Sequence, residues 1–136
     1  MAVTCEIAGA LVGIDTAHVE EVVRLVPITP VHGAAAWVLG IVNLRGRIVT
    51  VLDLAHRMDQ GSTGISDETR IVIVRVGAES FGLLVPRLAD VVEVDPRRVK
   101  TVGGGRKDAD SPYLGLFEHD GQLLALLDLA KAVRAS

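Results

Sequence analysis

Short runs of aliphatic residues, each bounded by Gly, Asp or Ser, dominate the pattern of the chain. Ile71 to Val76, Leu123 to Leu127 and Ile48 to Leu52 have the length of strands and consist mainly of Val, Ile and Leu. Such runs are typical of buried β-strands rather than of long helices. Asp120-Gly121, between two apolar runs, is a hairpin signal. Strands that recur every ~8–12 residues predict a mainly β barrel or sandwich.

Helical segments are predicted to be brief. Asp53 to Met58 and Asp128 to Arg134 each begin with an aspartate that fits the N-cap position and continue with Leu-Ala. Asp15 fits the cap of a further single turn, and Asp95-Pro96 fits another because proline is favoured at the first helical position. Two polar segments rich in Gly and Ser are predicted loops, Gln60 to Asp67 and Gly103 to Ser111.

The chain resembles itself. Gly46 to Ala55 aligns without a gap with Gly121 to Ala130, and Gly13 to Val23 aligns with Gly82 to Val92. The Gly and Asp positions match as well as the aliphatic ones, which favours a true repeat over a chance likeness of apolar strands. We predict one domain made of two related β-subdomains that pack around a shared core, since each is too small to be comfortably stable alone. The predicted repeats span approximately residues 3–58 and 70–134.

Composition narrows the functional classes. The 136 residues fit one domain, and 49% hydrophobic residues can form a core without disulfide or metal support. Cys5 is the single cysteine, which excludes a disulfide framework and a multi-cysteine zinc site. A net charge of -3 with scattered Lys and Arg argues against nucleic-acid binding. Without a long apolar run or a basic leader, the chain is expected to be cytoplasmic and not inserted directly into a membrane.

No catalytic set stands out. The four histidines show no i, i+3 or i, i+4 spacing, and Cys5 lies in a predicted strand without a neighbouring base. Cys5 is therefore predicted to be a small buried apolar side chain. The pattern favours a binding module over an enzyme, with no metal and no cofactor. A small β-barrel enzyme or metal-binding protein is the less favoured alternative.

Two charged residues are candidates for the edge of a binding groove between the subdomains. Glu21 is flanked by valines, and Arg45 lies in a Gly-containing turn. In the second repeat Asp120 stands where Arg45 stands in the first, so the symmetry of the fold does not require the arginine. An Arg–carboxylate pair can be bidentate and can hold a loop in place. We predict that Glu21 and Arg45 form such a pair, the alternative being that both are independently solvated.

These segments resemble the CheW-like domain, the family of chemotaxis coupling proteins. The resemblance covers nearly the whole chain, and its most specific part is Gly40 to Leu54. The segments that carry it are Val19 to Val22, Val26 to Val31, Trp37 to Leu54, Asp67 to Val74, Gly82 to Val85 and Asp120 to Leu129.

The resemblance implies two five-stranded SH3-like β-barrels that pack around a shared hydrophobic core, with short helices. It also allows strands to be exchanged between the barrels, so that the sequence repeat need not equal the spatial subdomain. It also implies a non-enzymatic scaffold that couples methyl-accepting chemoreceptors to a CheA-type histidine kinase. The expected partners are the cytoplasmic tip of the receptor and the regulatory domain of the kinase. The protein would be recruited to receptor arrays from the cytoplasm.

Carried over by position, the resemblance also implies a receptor-binding surface. Val19, Leu88 and Val91 would line a groove for a helical hairpin of the receptor. Gly40 and Gly82 would allow close approach of a backbone. The full set implied is Val19, Glu21, Gly40, Asn43, Arg45, Arg70, Gly82, Leu88 and Val91.

Three positions depart from the family pattern. Thr50 replaces a usual proline, Pro86 replaces a usual acidic residue, and the connection from Tyr113 to Gly121 is one residue short. These changes concern kinase binding more than receptor binding. They support an alternative in which the protein binds receptors but not the kinase.

Overall fold

The structure, a computed structural model, describes residues 1–101 and 112–134. Within these ranges the chain is mainly β, as predicted, with two one-turn α-helices. The predicted loop Gly103 to Ser111 lies outside the described residues. The strands are β1 Ala2–Ile7, β2 Ala10–Asp15, β3 Val19–Arg24, β4 Val38–Leu44, β5 Arg47–Asp53, β6 Arg70–Val76, β7 Glu79–Val85, β8 Leu88–Val92, β9 Lys100–Thr101, β10 Tyr113–His119 and β11 Gln122–Leu127. The helices are α1 Leu54–Arg57 and α2 Leu129–Ala132, with 3₁₀ turns at Thr16–His18 and Pro96–Arg98.

The strands form two sheets with the same internal order. The first sheet runs β8-β1-β2-β11-β10-β9 and the second runs β3-β6-β7-β5-β4. In each sheet one pair is parallel, β2 with β11 in the first and β7 with β5 in the second, and the other pairs are antiparallel. Where the first sheet has the short strand β9, the second has a single bridge between Thr29 and Ile41.

The expected SH3-like fold is thus confirmed, with one addition. The second sheet has the five strands expected, and the first has a sixth because the two-residue strand β9 pairs with β10. In the described ranges, no strand pairing joins β8 to β9 or β3 to β4, so the hydrogen-bonded ladders themselves are open.

The chain crosses between the sheets more than once. Strands β1 and β2, from the beginning of the chain, lie in the first sheet beside β8 and β11, whereas β3, β4 and β5 lie in the second. Strands β6 and β7 join β3 to β5 in that second sheet. A sheet is therefore not a continuous half of the sequence. The boundaries of the sequence repeat, near 3–58 and 70–134, stay a prediction.

The hydrophobic interior has three parts. The largest cluster takes side chains from both sheets and both helices, including the fully buried Ile14, Leu52 and Leu83. A second cluster lies within the second sheet and contains Val49 and Ile73, and a third lies within the first sheet. The predicted shared core is present, and each sheet also encloses apolar residues of its own. Burial of this area drives the packing of the two sheets against each other.

Aspartates begin the helical turns, as the sequence predicts. Asp53 accepts a hydrogen bond from the His56 N–H at 3.5 Å, and Asp128 accepts one from the Lys131 N–H at 3.3 Å. Asp15 and Asp95 cap the 3₁₀ turns in the same way. These bonds satisfy backbone N–H groups that a short helix leaves without partners.

Three tight hairpins share one turn geometry, the first being Ala8-Gly9 between β1 and β2, with φ of 52° and 83°. Arg45 and Gly46 join β4 to β5 with φ of 53° and 81°, and Asp120 and Gly121 join β10 to β11 with φ of 51° and 78°. Positive φ at both central residues is the signature of a type I′ turn, whose twist matches that of the flanking strands. The predicted hairpin at Asp120-Gly121 is confirmed.

Candidate partner-binding surface

The predicted contact between Glu21 and Arg45 is present. Arg45 Nη1 donates to Glu21 Oε2 at 2.6 Å, and Arg45 Nη2 donates to Glu21 Oε1 at 2.7 Å. The Arg45 side chain is 74% exposed and that of Glu21 is 24% exposed. This bidentate arrangement fixes the orientation of the guanidinium, because both of its contacts are charge-assisted. One face of Arg45 is thus held while most of the side chain stays open to a partner.

The β4–β5 turn presents Arg45 in this position. Asn43 stabilises the turn, since its Oδ1 accepts a hydrogen bond from the Gly46 N–H at 2.9 Å. Arg45 itself adopts positive φ, which a residue with a side chain does at some cost. The turn, rather than the strand pairing alone, therefore aims Arg45 at Glu21.

The pair also connects the two ends of the second sheet. Glu21 belongs to β3, the first strand in the order, and Arg45 joins β5 to β4, the last two. A side-chain contact thus spans the opening that the strand ladder leaves.

Electrostatics favour the charged state of both partners. The hydrogen bond from Arg45 lowers the pKa of Glu21, and this outweighs a partial desolvation of the carboxylate, which raises it. The charges of Arg45 and Arg47 lower the pKa further. The same hydrogen bond raises the pKa of Arg45. The pair stays ionised at neutral pH.

A second charged cluster lies beside the first, and the sequence reasoning missed it. This Glu20 cluster consists of Glu20, Arg47, Arg75 and Ser80. Ser80 Oγ donates to Glu20 Oε1 at 2.6 Å, Arg47 Nη1 donates to Ser80 Oγ at 3.0 Å, and Arg75 Nη1 lies 3.6 Å from Glu20 Oε2. The hydrogen bond from Ser80 is the main reason that the pKa of Glu20 is lowered. The comparison of the repeats that singled out Arg45 could also have found Arg47, which Gln122 replaces in the second repeat.

The predicted apolar residues lie at the edges of both sheets. Val19 begins β3 and Leu88 begins β8, and both pack, half-buried, against the large shared cluster. Val91, further along β8, is 59% exposed. The first residues of both edge strands therefore pack at the junction of the sheets, which is where the groove was predicted. Whether these residues bind a partner stays a prediction.

The two glycines have neighbours within the chain itself. Gly40 is buried at φ 148°, and a Cβ there would collide with the carbonyl oxygen of Thr29 and come within 2.9 Å of Pro30 Cα. A Cβ on Gly82 would lie 2.8 Å from Ile71 Cγ2. The close approach of a backbone predicted for Gly40 is made within this chain, whereas the neighbours of Gly82 are side chains. Their part in partner binding stays a prediction.

Arg70 is engaged locally. It begins β6, and its Nη1 donates to the carbonyls of Asp67 and Thr69 at 2.6 and 2.8 Å. The guanidinium therefore anchors the end of the loop that precedes β6. Its part in partner binding, like that of Asn43, stays a prediction.

The described residues offer little for covalent chemistry. Cys5 is fully buried, and burial raises its pKa to about 12, which makes the thiol unreactive. This agrees with its predicted role as a small apolar side chain. In the described ranges no three His, Cys, Asp or Glu side chains are grouped so that they could hold a metal ion. Among the same residues, no helix is long and apolar enough to cross a membrane.

Two β-sheets of the same strand order that share an apolar interior define a fold of paired SH3-like units, and an exposed arginine bound to Glu21 lies on the second of them. Comparison with known proteins identifies the class. The sequence pattern of the CheW-like domain matches residues 1–136. The chain belongs to the CheW-like domain family.

Individual relatives agree with this assignment. The chemotaxis protein CheW of Thermotoga maritima is 31% identical over 132 residues, which are 94% of this chain and 83% of that protein. The chemotaxis protein CheW of Bacillus subtilis is 28% identical over 116 residues, 85% of this chain and 74% of that protein. The crystal structure of the scaffolding protein TtCheW from Thermoanaerobacter tengcongensis superimposes with a TM-score of 0.85 at 30% identity, over 94% of this chain and 83% of that chain.

Proposed function

We propose that this protein is a non-enzymatic scaffold that couples methyl-accepting chemoreceptors to a CheA-type histidine kinase. The chain is a member of a family of chemotaxis scaffolds, and its relatives are named accordingly. The proposal adds the two partners and the surface that meets the first of them.

The observation that carries the proposal is the Glu21–Arg45 pair. Its guanidinium is bound on one side at 2.6 and 2.7 Å and 74% exposed on the other. A side chain held in this way has already lost part of its conformational freedom before a partner arrives, which lowers the entropic cost of binding. Arginine at such a position is a frequent contributor to the binding energy of protein interfaces.

The apolar edge residues support a helical partner. Val91 and Val22 occupy the same place on the edge strands of the two sheets and are 59% and 39% exposed. Together with the half-buried Val19 and Leu88 they offer aliphatic surface on either side of the junction. A helical hairpin with an apolar face fits such a groove.

Binding of a receptor tip fragment tests the proposal. The probe is a soluble fragment with the signalling tip of a methyl-accepting chemoreceptor from the same genome, and the readout is its affinity by calorimetry. Arg45→Asp places two acidic side chains together and removes the exposed guanidinium, so the affinity is expected to fall by at least tenfold. Arg97→Asp is the matched control, because Arg97 is equally charged, 90% exposed and located in the 3₁₀ turn between β8 and β9, away from the second sheet.

The outcome is decisive when folding is checked alongside. A folded Arg45→Asp protein that binds the fragment as tightly as the unmodified protein contradicts the assigned surface. An equal loss in Arg97→Asp does so too, since it reveals a general effect of charge.

A pull-down with the regulatory domain of the kinase separates the two candidate functions. Retention of that domain supports coupling. Receptor binding without retention of the kinase supports the alternative, a receptor-only protein, for which Thr50 and Pro86 are the motivating departures. In the structure Thr50 lies in β5 opposite Ile41, and Pro86 lies between β7 and β8.

A further inference from the structure

The two sheets match residue by residue around the Glu21–Arg45 pair. Edge strand β8 pairs with β1 in the same register in which β3 pairs with β6, including a register shift at the same place. Asp90 therefore occupies in the first sheet the place of Glu21, and Asp120 occupies the place of Arg45 in a turn of the same type. The matched pairs are Leu88↔Cys5 with Val19↔Val74, Val91↔Val3 with Val22↔Val72, and Ala2↔Val92 with Val23↔Ile71.

The arginines of the second sheet have no arginine at the matched positions of the first. Each arginine that surrounds Glu20 and Glu21 in the second sheet is replaced by an acidic or neutral residue in the first. Among the described residues, Asp90 and Asp120 therefore lack a bidentate cation of the kind that Arg45 supplies to Glu21. The correspondences are Arg45 with Asp120, Arg47 with Gln122, Arg75 with Glu6, Glu20 with Ala89 and Ser80 with Leu11.

In the first sheet a cavity lies at the place that corresponds to the Arg45 guanidinium of the second sheet. It measures about 310 Å³, and Glu6, Asp90 and Asp120 line it together with the apolar side chains of Leu11 and Leu88. We call it the β8 pocket. Its acidic rim and aliphatic wall match a side chain with an apolar stem and a cationic end.

Among the described residues, the cations near this pocket leave its carboxylates only partly paired. Arg87, which also lines it, makes one ion-pair contact of 3.5 Å to Glu6 and one of 3.5 Å to Glu68, and among those residues its buried Nε has no hydrogen-bond partner. In the same ranges the ion-pair contact of Asp120 is with the neighbouring His119, at 3.4 Å. In the described part of the chain, no hydrogen bond reaches the carboxylate of Asp90. The corresponding carboxylate of Glu21 accepts two.

The geometry points to an arginine side chain of the partner rather than a metal ion. The carboxylates around the β8 pocket are not grouped closely enough to hold a metal ion, as noted above for the described residues. A planar guanidinium can bridge more widely spaced carboxylates. We propose that the β8 pocket receives an arginine of the helical receptor tip, which supplies in trans what Arg45 supplies in cis. This partner rests on the proposed function, because Leu88 belongs to both the pocket and the predicted groove.

A small-molecule probe tests the β8 pocket directly. The ¹⁵N-labelled full-length protein is titrated with N-acetyl-arginine amide at neutral pH, with the neutral isostere N-acetyl-citrulline amide as control. Saturable shifts of the backbone amides of Asp90, Asp120 and Gln122 are expected with the arginine compound and not with the citrulline compound. Equal shifts with both compounds, or none up to the solubility limit, overturn the proposal.

Variants assign the effect to the pocket. Asp120→Arg recreates the in-cis pair and should abolish the response while raising the melting temperature. Asp90→Asn should also abolish the response. This variant provides the test if Asp120→Arg does not fold. Glu79→Arg, on an exposed position of the second sheet, makes the same charge change as Asp120→Arg and should leave the response intact. A response that survives Asp90→Asn, or that Glu79→Arg also removes, overturns the proposal.

This test is independent of the proposed function. It uses no receptor, so a negative result contradicts the proposal that the β8 pocket binds arginine. Such a result has no bearing on receptor binding through Arg45. Conversely, a receptor tip that fails to bind the unmodified protein contradicts the proposed function even if the arginine probe binds.

Discussion

Arg57 links the helical turns that end the two halves of the chain. Its Nε and Nη2 donate to the carbonyls of Ala132 and Lys131 at 3.0 and 2.9 Å, at the end of α2. Its guanidinium carbon also lies 4.8 Å from the centre of the Trp37 ring. The indole N–H of Trp37 is buried and has no hydrogen-bond partner, so packing and Arg57 hold the ring. We predict that Arg57→Met destabilises the whole fold.

The size of the effect follows from these contacts. A hydrogen bond from a charged donor contributes about 1.5–3 kcal/mol, and a cation–π contact contributes about 0.5–1 kcal/mol. Because Arg57 is half-buried and the two hydrogen bonds share one guanidinium, the contributions are not additive. The expected loss in the free energy of unfolding is about 2–3 kcal/mol. That corresponds to a fall in melting temperature of roughly 10 °C for a domain of this size.

Urea unfolding followed by Trp37 fluorescence measures this loss, since Trp37 is the single tryptophan. Methionine keeps the apolar stem, so the comparison isolates the guanidinium. Arg57→Lys should give an intermediate loss, because one ammonium cannot reproduce the fork of two donors. Arg24→Met, at an exposed position of β3, is the control and should change little. A loss below about 0.5 kcal/mol for Arg57→Met would refute the argument, since that is the range of neutral surface substitutions.

Three further outcomes are expected. Gly40→Ala should lower the free energy of unfolding by at least about 2 kcal/mol more than Gly61→Ala does. Both glycines have positive φ, but only a Cβ at Gly40 meets a neighbouring backbone. Thermal denaturation of the two variants measures the difference. Arg45 lowers the pKa of Glu21 in the folded protein. The stability that this pair contributes is therefore fully present above the ordinary glutamate pKa of about 4.3, and it is lost as the pH falls through the lower pKa of the folded state. NMR titration should therefore show the pKa of Glu21 rising in Arg45→Gln, and an unchanged pKa would contradict the pairing. With a pKa of about 12, Cys5 should resist a thiol reagent in the native protein and react only after unfolding, so rapid native labelling would exclude the buried thiol.

Local features of the fold could be predicted because their causes lie within a few residues. Asp53 and Asp128 cap helices that begin at the next residue, and Asp120-Gly121 forms a turn whose geometry those two residues determine. The Glu21–Arg45 contact is not local. It could be predicted because the two repeats differ at Arg45 and because the carboxylate of Glu21 is flanked by valines next to the predicted groove.

Other features depend on tertiary packing that a single sequence does not specify. The sequence gives no signal that Ser80, two strands away from Glu20, would complete a charged cluster with it. The contacts of Arg57 with α2 join residues more than seventy positions apart. Close approach of a backbone was predicted at Gly40, but the sequence does not indicate that this backbone is that of Thr29. Each of these contacts depends on how separate segments of the chain pack together.

The pairing of β2 with β11 has a consequence for how the protein is made. Leu11 lies beside Leu124 in a parallel ladder, so one edge of β2 has no neighbour until β11 has been synthesised. Contacts between such distant positions slow the search for the native state. Folding of the first sheet must therefore wait for β11, and a chain that stops before this strand would leave an unpaired strand edge open to aggregation.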